Sequence, residues 1–174
     1  MNFHVGDTVV KPGLGICKIK AIRQMPVEGK NQTFYVLQSG DVKVMVPFSY
    51  AHSGGLRPLL SEEGIEKLFS FLSEPILIPE DERESPDHYT INVEEAKEQI
   101  KHRDPLALAK LVKTLFYKIK IAEIPKAETD IYQGSMQALS DEIAHIEHTT
   151  KQKAAHRIRS ILTESRKSRK GAHL

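Results

Sequence analysis

The chain has 174 residues, of which 40% are hydrophobic and 28% are charged, and its formal net charge is +2. This composition suits one domain or two small ones and excludes a wholly disordered chain. Cys17 is the single cysteine, so no internal disulfide can form. The N-terminus has no signal-peptide pattern, and no window approaches the roughly 18 apolar residues of a membrane helix. We therefore expect a cytoplasmic protein without a membrane partner.

Charge is strongly segregated along the chain. Residues 1–60 carry seven Lys/Arg against three Asp/Glu (+4), residues 61–150 carry ten against nineteen (−9), and residues 151–174 carry eight against one (+7). A basic segment of this kind attracts polyanions or acidic protein surfaces. We predict three regions with these boundaries: a β domain, a helical domain and a basic C-terminal helix with its tail.

The first sixty residues predict short strands separated by turns. Turn signals occur at Pro12 to Gly15, at Pro26 to Asn31 and at Ser39-Gly40-Asp41. After the last of these, valines at 42, 44 and 46 alternate with Lys43, Met45 and Pro47, which places the valines on one face of a strand. Several short strands separated by turns predict a small curled sheet or barrel, and a barrel of this size is too small to enclose a ligand.

Helical patterns begin at Ser61. Ser61, Asn92 and the Asp104-Pro105 pair each predict a helix N-terminus. Residues 73–91 contain three prolines among acidic residues and predict an irregular linker. The most apolar helix follows Pro105, and further helices are expected over residues 127–148 and 151–165. The predicted fold class is therefore α+β, with a β-barrel followed by an all-α domain.

No pattern in the chain predicts catalysis or a cofactor. Pro12 to Gly15 is glycine-rich but lacks the Gly-Lys-Ser/Thr of a phosphate-binding loop, so a turn between strands is favoured. His145 and His148 share a helical face, yet without a third ligand they favour surface residues over a metal site. We expect a protein that is not an enzyme and that has no metal and no small-molecule ligand.

Two surfaces are candidates for binding. Arg23, Met25, Lys43 and Met45 are expected to share the exposed edge of the β domain, although charged strand residues often only prevent edge pairing. The C-terminal helix carries four further cations among apolar residues, and it equally fits a terminal helix that docks an apolar stripe. Those cations are Lys151, Lys153, Arg157 and Arg159.

Four segments together resemble the CarD/CdnL family of bacterial transcription regulators. They are Phe3-x-Val5-Gly6-Asp7-x-Val9-Val10-x-Pro12-x-x-Gly15, Tyr35-Val36-Leu37, Val44-x-Val46-Pro47 and Gly55-Leu56-Arg57. The same β module occurs in the transcription-repair coupling factor. The resemblance implies a Tudor-like domain that binds the β-subunit lobe of RNA polymerase, here through Arg23, Met25, Lys43, Met45 and Pro47.

The resemblance also implies a helical domain beside promoter DNA, where an aromatic wedge stabilises the open complex without reading sequence. This chain has no tryptophan, and Tyr89 aligns with the family's wedge position. Ile91 and Asn92 replace the arginines that usually follow it. The expected DNA-binding residues are Tyr89 and the four cations of the C-terminal helix, which would compensate for the altered wedge. The alternative is an adaptor that uses the same β domain without contacting DNA, which the acidity of residues 61–150 favours.

Overall fold

The computed structural model describes residues 2–170. The chain divides into two compact units, with the boundary between Leu59 and Leu60. The first unit is built around one antiparallel sheet and the second from helices, so the predicted α+β class is confirmed.

Five strands in the order β4-β3-β2-β1-β5 form the sheet of the first unit. Its elements are β1 (Thr8–Lys11), β2 (Gly15–Val27), β3 (Lys30–Ser39), β4 (Val42–Pro47), the helical turn α1 (Phe48–Tyr50), one π-helical turn (Ala51–Gly55) and β5 (Arg57–Pro58). The long β2–β3 hairpin extends further than the predicted turn at Pro26 to Asn31. Glu28 and Gly29 both have positive φ, 50° and 77°, which is the tight turn geometry that matches strand twist.

The pairing of β3 with β4 confirms the alternation predicted from the valines. Val46 lies opposite Tyr35 and Val44 opposite Leu37, and these side chains pack in the core of the β unit. Lys43 and Met45 point to the opposite face, because successive strand residues alternate between faces. Leu37 has no exposed surface and Tyr35 is 1% exposed, so the core lies on the valine side.

The predicted barrel is wrong, because the sheet is open. β4 and β5 are its two edges and do not pair with each other. The edge strand β5 has only two residues, and one of them, Pro58, has no backbone N–H to donate to a further ladder. β4 also ends at Pro47, where the chain turns into α1, so neither edge continues far enough to close the sheet.

The described part of the second unit contains five α-helices. They are α2 (Glu62–Ser73), α3 (Val93–His102), α4 (Pro105–Ile119), α5 (Lys126–Ile146) and α6 (Lys151–Lys170). The predicted caps are present: Ser61 accepts from the Gly64 N–H at 3.1 Å, and Asn92 and Asp104 accept from backbone N–H groups in the first turns of α3 and α4.

The core of the helical unit is centred on α4, with α2, α5 and α6 packed around it. The segment predicted as a linker contributes to that core: it contains short 3-10 helices at Glu80–Glu82 and Pro86–Tyr89, and Ile76, Ile78 and Tyr89 pack against the helices. α6 buries Ala154, Ile158 and Leu162 in the same core. The last four residues of the predicted basic tail, 171–174, lie outside the described residues.

Candidate functional site

The sheet presents one broad face that does not pack in the core. We call the side of β2, β3 and β4 opposite Tyr35 and Leu37 the outer face. Cross-strand pairing sets its rows: Val36 lies between Ala21 and Met45, and Phe34 lies between Arg23 and Pro47. Met25 and Gln32 form the next pair beyond Arg23 and Phe34. Gln38 and Lys43 form the next pair beyond Val36 and Met45. All five residues predicted to bind polymerase therefore lie on this one face.

The outer face has an apolar centre with cations beside it. Met25 and Met45 are each 41% exposed, and Phe34 and Val36 are partly exposed between them. Arg23 and Lys43 are exposed on the same face. Methionine side chains adapt to irregular partner surfaces, and arginine and lysine extend their charge beyond an apolar stem. This arrangement is suited to a protein surface that combines apolar side chains with carboxylates.

Sequence reasoning missed Phe34 and Val36 as members of this surface. The run from Thr33 to Leu37 is rich in strand-forming residues, so no residue type in it marks an exposed face. Cross-strand pairing could have identified them, because the neighbour of Met45 across the ladder must share the outer face with Met45. A β-bulge at Lys20, between the pairs made by Ile19 and Ala21, shifts the alternation of β2, which further hides the pattern.

Tyr89, the predicted wedge, is buried. Its side chain is 1% exposed, its ring centroid lies 6.1 Å from that of Tyr117, and its hydroxyl donates to the Arg83 carbonyl at 3.3 Å. A side chain in this position cannot enter a DNA groove without leaving the core. Its burial therefore argues against the wedge hypothesis, and the physical reason is that Tyr89 completes the packing of α4.

The four predicted cations of α6 lie on two different sides of that helix. At 100° per residue, Lys153 and Arg157 are about 40° apart, whereas Arg157 and Arg159 are about 160° apart. Lys151 and Arg159 border the groove between α5 and α6, and Lys153 and Arg157 do not. The structure therefore does not bring these four cations together in one stripe.

Several of these cations already have partners within the helical unit. Lys151 Nζ lies 2.8 Å from Asp141 Oδ1, and Arg157 Nη1 lies 2.6 Å from Glu147 Oε1. The Arg157 guanidinium also sits 4.0 Å from the centroid of the Phe69 ring. These contacts join α6 to α5 and α2, so part of the predicted basic surface holds the helices together.

The described residues offer little for metal chemistry. Within residues 2–170 no three His, Cys, Asp or Glu side chains are grouped so as to hold a metal ion. Cys17, 1% exposed, is packed in the core of the β unit. None of the helices in that same stretch is both long and apolar enough to cross a membrane.

Comparison with protein families assigns both units. Residues 3–60 match the family described as the CarD-like/TRCF RID domain. Residues 76–159 match the CarD C-terminal domain. The first match covers the whole outer face, and the second runs from the segment after α2 into α6. CarD proteins are a non-enzymatic family of RNA polymerase-binding regulators. Because the two matches together cover most of the chain, it belongs to the CarD-like family of RNA polymerase-interacting transcription regulators.

Proposed function

We propose that the outer face binds the lobe of the RNA polymerase β subunit and that the helical unit modulates the stability of the promoter open complex. The protein acts by binding alone and has no catalytic activity. The observation that carries this proposal is the shared placement of Arg23, Met25, Lys43, Met45 and Pro47 on the outer face.

The outer face has properties expected of a protein interface. Its apolar centre has two cations, Arg23 and Lys43, beside it, and specific interfaces likewise combine an apolar core with polar residues. The cations predict a partner surface with carboxylates, because complementary charge raises the association rate and fixes orientation. β4 is also an edge strand of the described sheet, and edge strands can pair with the backbone of a partner.

Contact with promoter DNA is the second part of the proposal. Lys153 is exposed on α6, on the side away from the groove with α5. A protein delivered by polymerase needs little DNA affinity of its own, because tethering raises its local concentration. We therefore expect contact with the phosphate backbone that does not depend on sequence.

The burial of Tyr89 and the pairing of Lys151 and Arg157 favour a second candidate, an adaptor that binds polymerase and another protein without touching DNA. Gel-shift titration of a fork-junction promoter, with and without polymerase, separates the two. If the helical unit contacts DNA, the protein stabilises the polymerase–promoter complex. The affinity of that complex then depends less steeply on salt concentration in Lys153→Gln than in the unchanged protein. An adaptor predicts an unchanged salt dependence.

The polymerase-binding claim is tested by interferometry with the full chain and an immobilised β-subunit lobe. Reversing both outer-face cations, as Arg23→Glu with Lys43→Glu, is expected to weaken binding at least about tenfold, because like charges then meet across the interface. Lys110→Glu is the matched control, since Lys110 is exposed on α4 in the other unit. Equal affinity of the double variant and the control would contradict the proposal.

A further inference from the structure

A groove between α5 and α6 has the size of a small-molecule site. Its volume is about 380 Å³, within the range of sites that hold organic ligands. Tyr132, Met136 and Ala155 provide apolar surface, and Lys151 and Arg159 lie at its border. The sequence predicts no ligand for this protein, because the groove arises only when two distant parts of the chain pack as neighbouring helices.

Among the residues that the structure describes, one positive charge in the lining of the groove has no carboxylate partner. Lys151 is paired with Asp141, which also lines the groove, so these two charges cancel. Arg159 instead lies beside Tyr132, and no Asp or Glu whose side chain the structure describes forms an ion pair with it. Burial raises the pKa of Tyr132, and the Arg159 guanidinium opposes that shift only in part. Tyr132 is therefore a neutral phenol at physiological pH and leaves the arginine charge uncompensated.

A buried hydroxyl in the lining also lacks a partner. Ser140 is 3% exposed, and across the described part of the chain its Oγ makes no hydrogen bond. A buried hydroxyl without a partner costs free energy, but this Oγ has almost no exposed surface, so an acceptor in the groove reaches it only after the Ser140 side chain rotates. Gln133 and Gln137 on α5 add amide groups that both donate and accept.

We infer that this groove binds a small organic anion, with an aromatic or branched apolar body against Tyr132, Met136 and Ala155 and a carboxylate, sulfonate or phosphate at Arg159. The inference does not depend on polymerase binding, since all of these residues belong to the helical unit. It also gives Lys151 and Arg159 a role other than DNA contact.

The test compares two fluorescent probes that differ in charge, 8-anilinonaphthalene-1-sulfonate and neutral N-phenyl-1-naphthylamine, titrated into the full-length protein. We expect saturable binding of the anionic probe with one site per chain and at least about tenfold weaker binding of the neutral probe. Arg159→Gln is expected to weaken binding of the anionic probe about tenfold, while Arg159→Lys retains most of the affinity for it. Ala155→Leu fills the groove and is expected to weaken the binding of both probes.

Lys153→Gln is the matched control, because it removes one positive charge from α6 outside the groove. Circular dichroism of each variant confirms that it is folded at the titration temperature. Equal affinity for the two probes would overturn the inference. So would an equal loss of affinity for the anionic probe in Lys153→Gln and Arg159→Gln. Failure of the anionic probe to saturate would overturn it as well.

Discussion

The hydroxyl groups of Tyr117 on α4 and Ser165 on α6 lie 2.9 Å apart in the core of the helical unit. Ser165 Oγ also lies 3.1 Å from the Glu74 carbonyl, directly after α2. The basic C-terminal helix is thus connected to two other helices by a buried polar network. The four predicted cations of α6 are exposed, whereas other residues of the same helix pack in the core.

Truncating the side chain of Ile158 tests this structural role of α6. Ile158 has no exposed surface, so Ile158→Ala is expected to lower the free energy of unfolding by about 2–5 kcal/mol, from lost burial and the cavity left behind. Urea denaturation followed by circular dichroism measures the change. Ser160→Ala, at an exposed position on the same helix, is the control and is expected to have little effect. Equal midpoints for both variants would show that α6 does not belong to the core.

Substitutions at Tyr89 distinguish a structural role of this side chain from a role as a DNA wedge. Tyr89→Ala is expected to destabilise the protein by about 3–5 kcal/mol, as for other buried aromatic residues. Tyr89→Phe removes the hydroxyl and with it the hydrogen bond to the Arg83 carbonyl, and it is expected to cost about 1 kcal/mol. Denaturation gives the stabilities, and promoter-complex lifetime is measured alongside. A fully stable Tyr89→Ala variant that shortens this lifetime would restore the wedge hypothesis.

Lys113 gives the helical unit a pH dependence. Its ammonium donates to the Phe71 carbonyl at 2.6 Å, and burial lowers its pKa from 10.5. In the pH range between the lowered folded-state pKa and 10.5, the unfolded chain binds more protons than the folded protein. Stability therefore rises as the pH is raised through that range.

Lys113→Met is expected to remove this rise, and Lys110→Met, an exposed position on the same helix, to retain it. The free energy of unfolding measured from pH 7 upward checks both variants. A rise of the same size in Lys113→Met would assign the effect to another group.

Met45 and Val46 are neighbours on β4 with opposite environments. Val46 is 2% exposed in the core of the β unit, whereas Met45 is 41% exposed on the outer face. Val46→Asp buries an unpaired charge and is expected to unfold the β unit, while Met45→Asp leaves it folded. Thermal denaturation distinguishes them, and a folded Val46→Asp variant would contradict the strand register.

Features governed by neighbours along the chain could be predicted from the sequence. The alternation of Val44 and Val46 with Met45 fixes which side of β4 faces the core, and Ser61 and Asn92 mark helix starts because capping is a local interaction. The five outer-face residues could be named for the same reason, with the family resemblance supplying their role.

Features set by distant partners could not be predicted. The burial of Tyr89 depends on the position of Tyr117, and the pairing of Arg157 with Glu147 depends on the α5–α6 packing. Closure of the sheet depends on whether its two edges meet, which no local pattern encodes. The distribution of the α6 cations over two sides is different, because it follows from helical spacing at 100° per residue and could be predicted from the sequence.

Site-specific photocrosslinking shows directly whether the outer face contacts the β subunit. A photoreactive phenylalanine derivative replaces Met45, and the full-length protein is irradiated with RNA polymerase core enzyme. A matched sample carries the derivative at Leu106, an exposed apolar position on α4. We expect a crosslink from position 45 to the β subunit, and no such crosslink when unlabelled protein is present in excess. A crosslink to β from position 106 alone, or to another subunit alone from position 45, would contradict binding through the outer face.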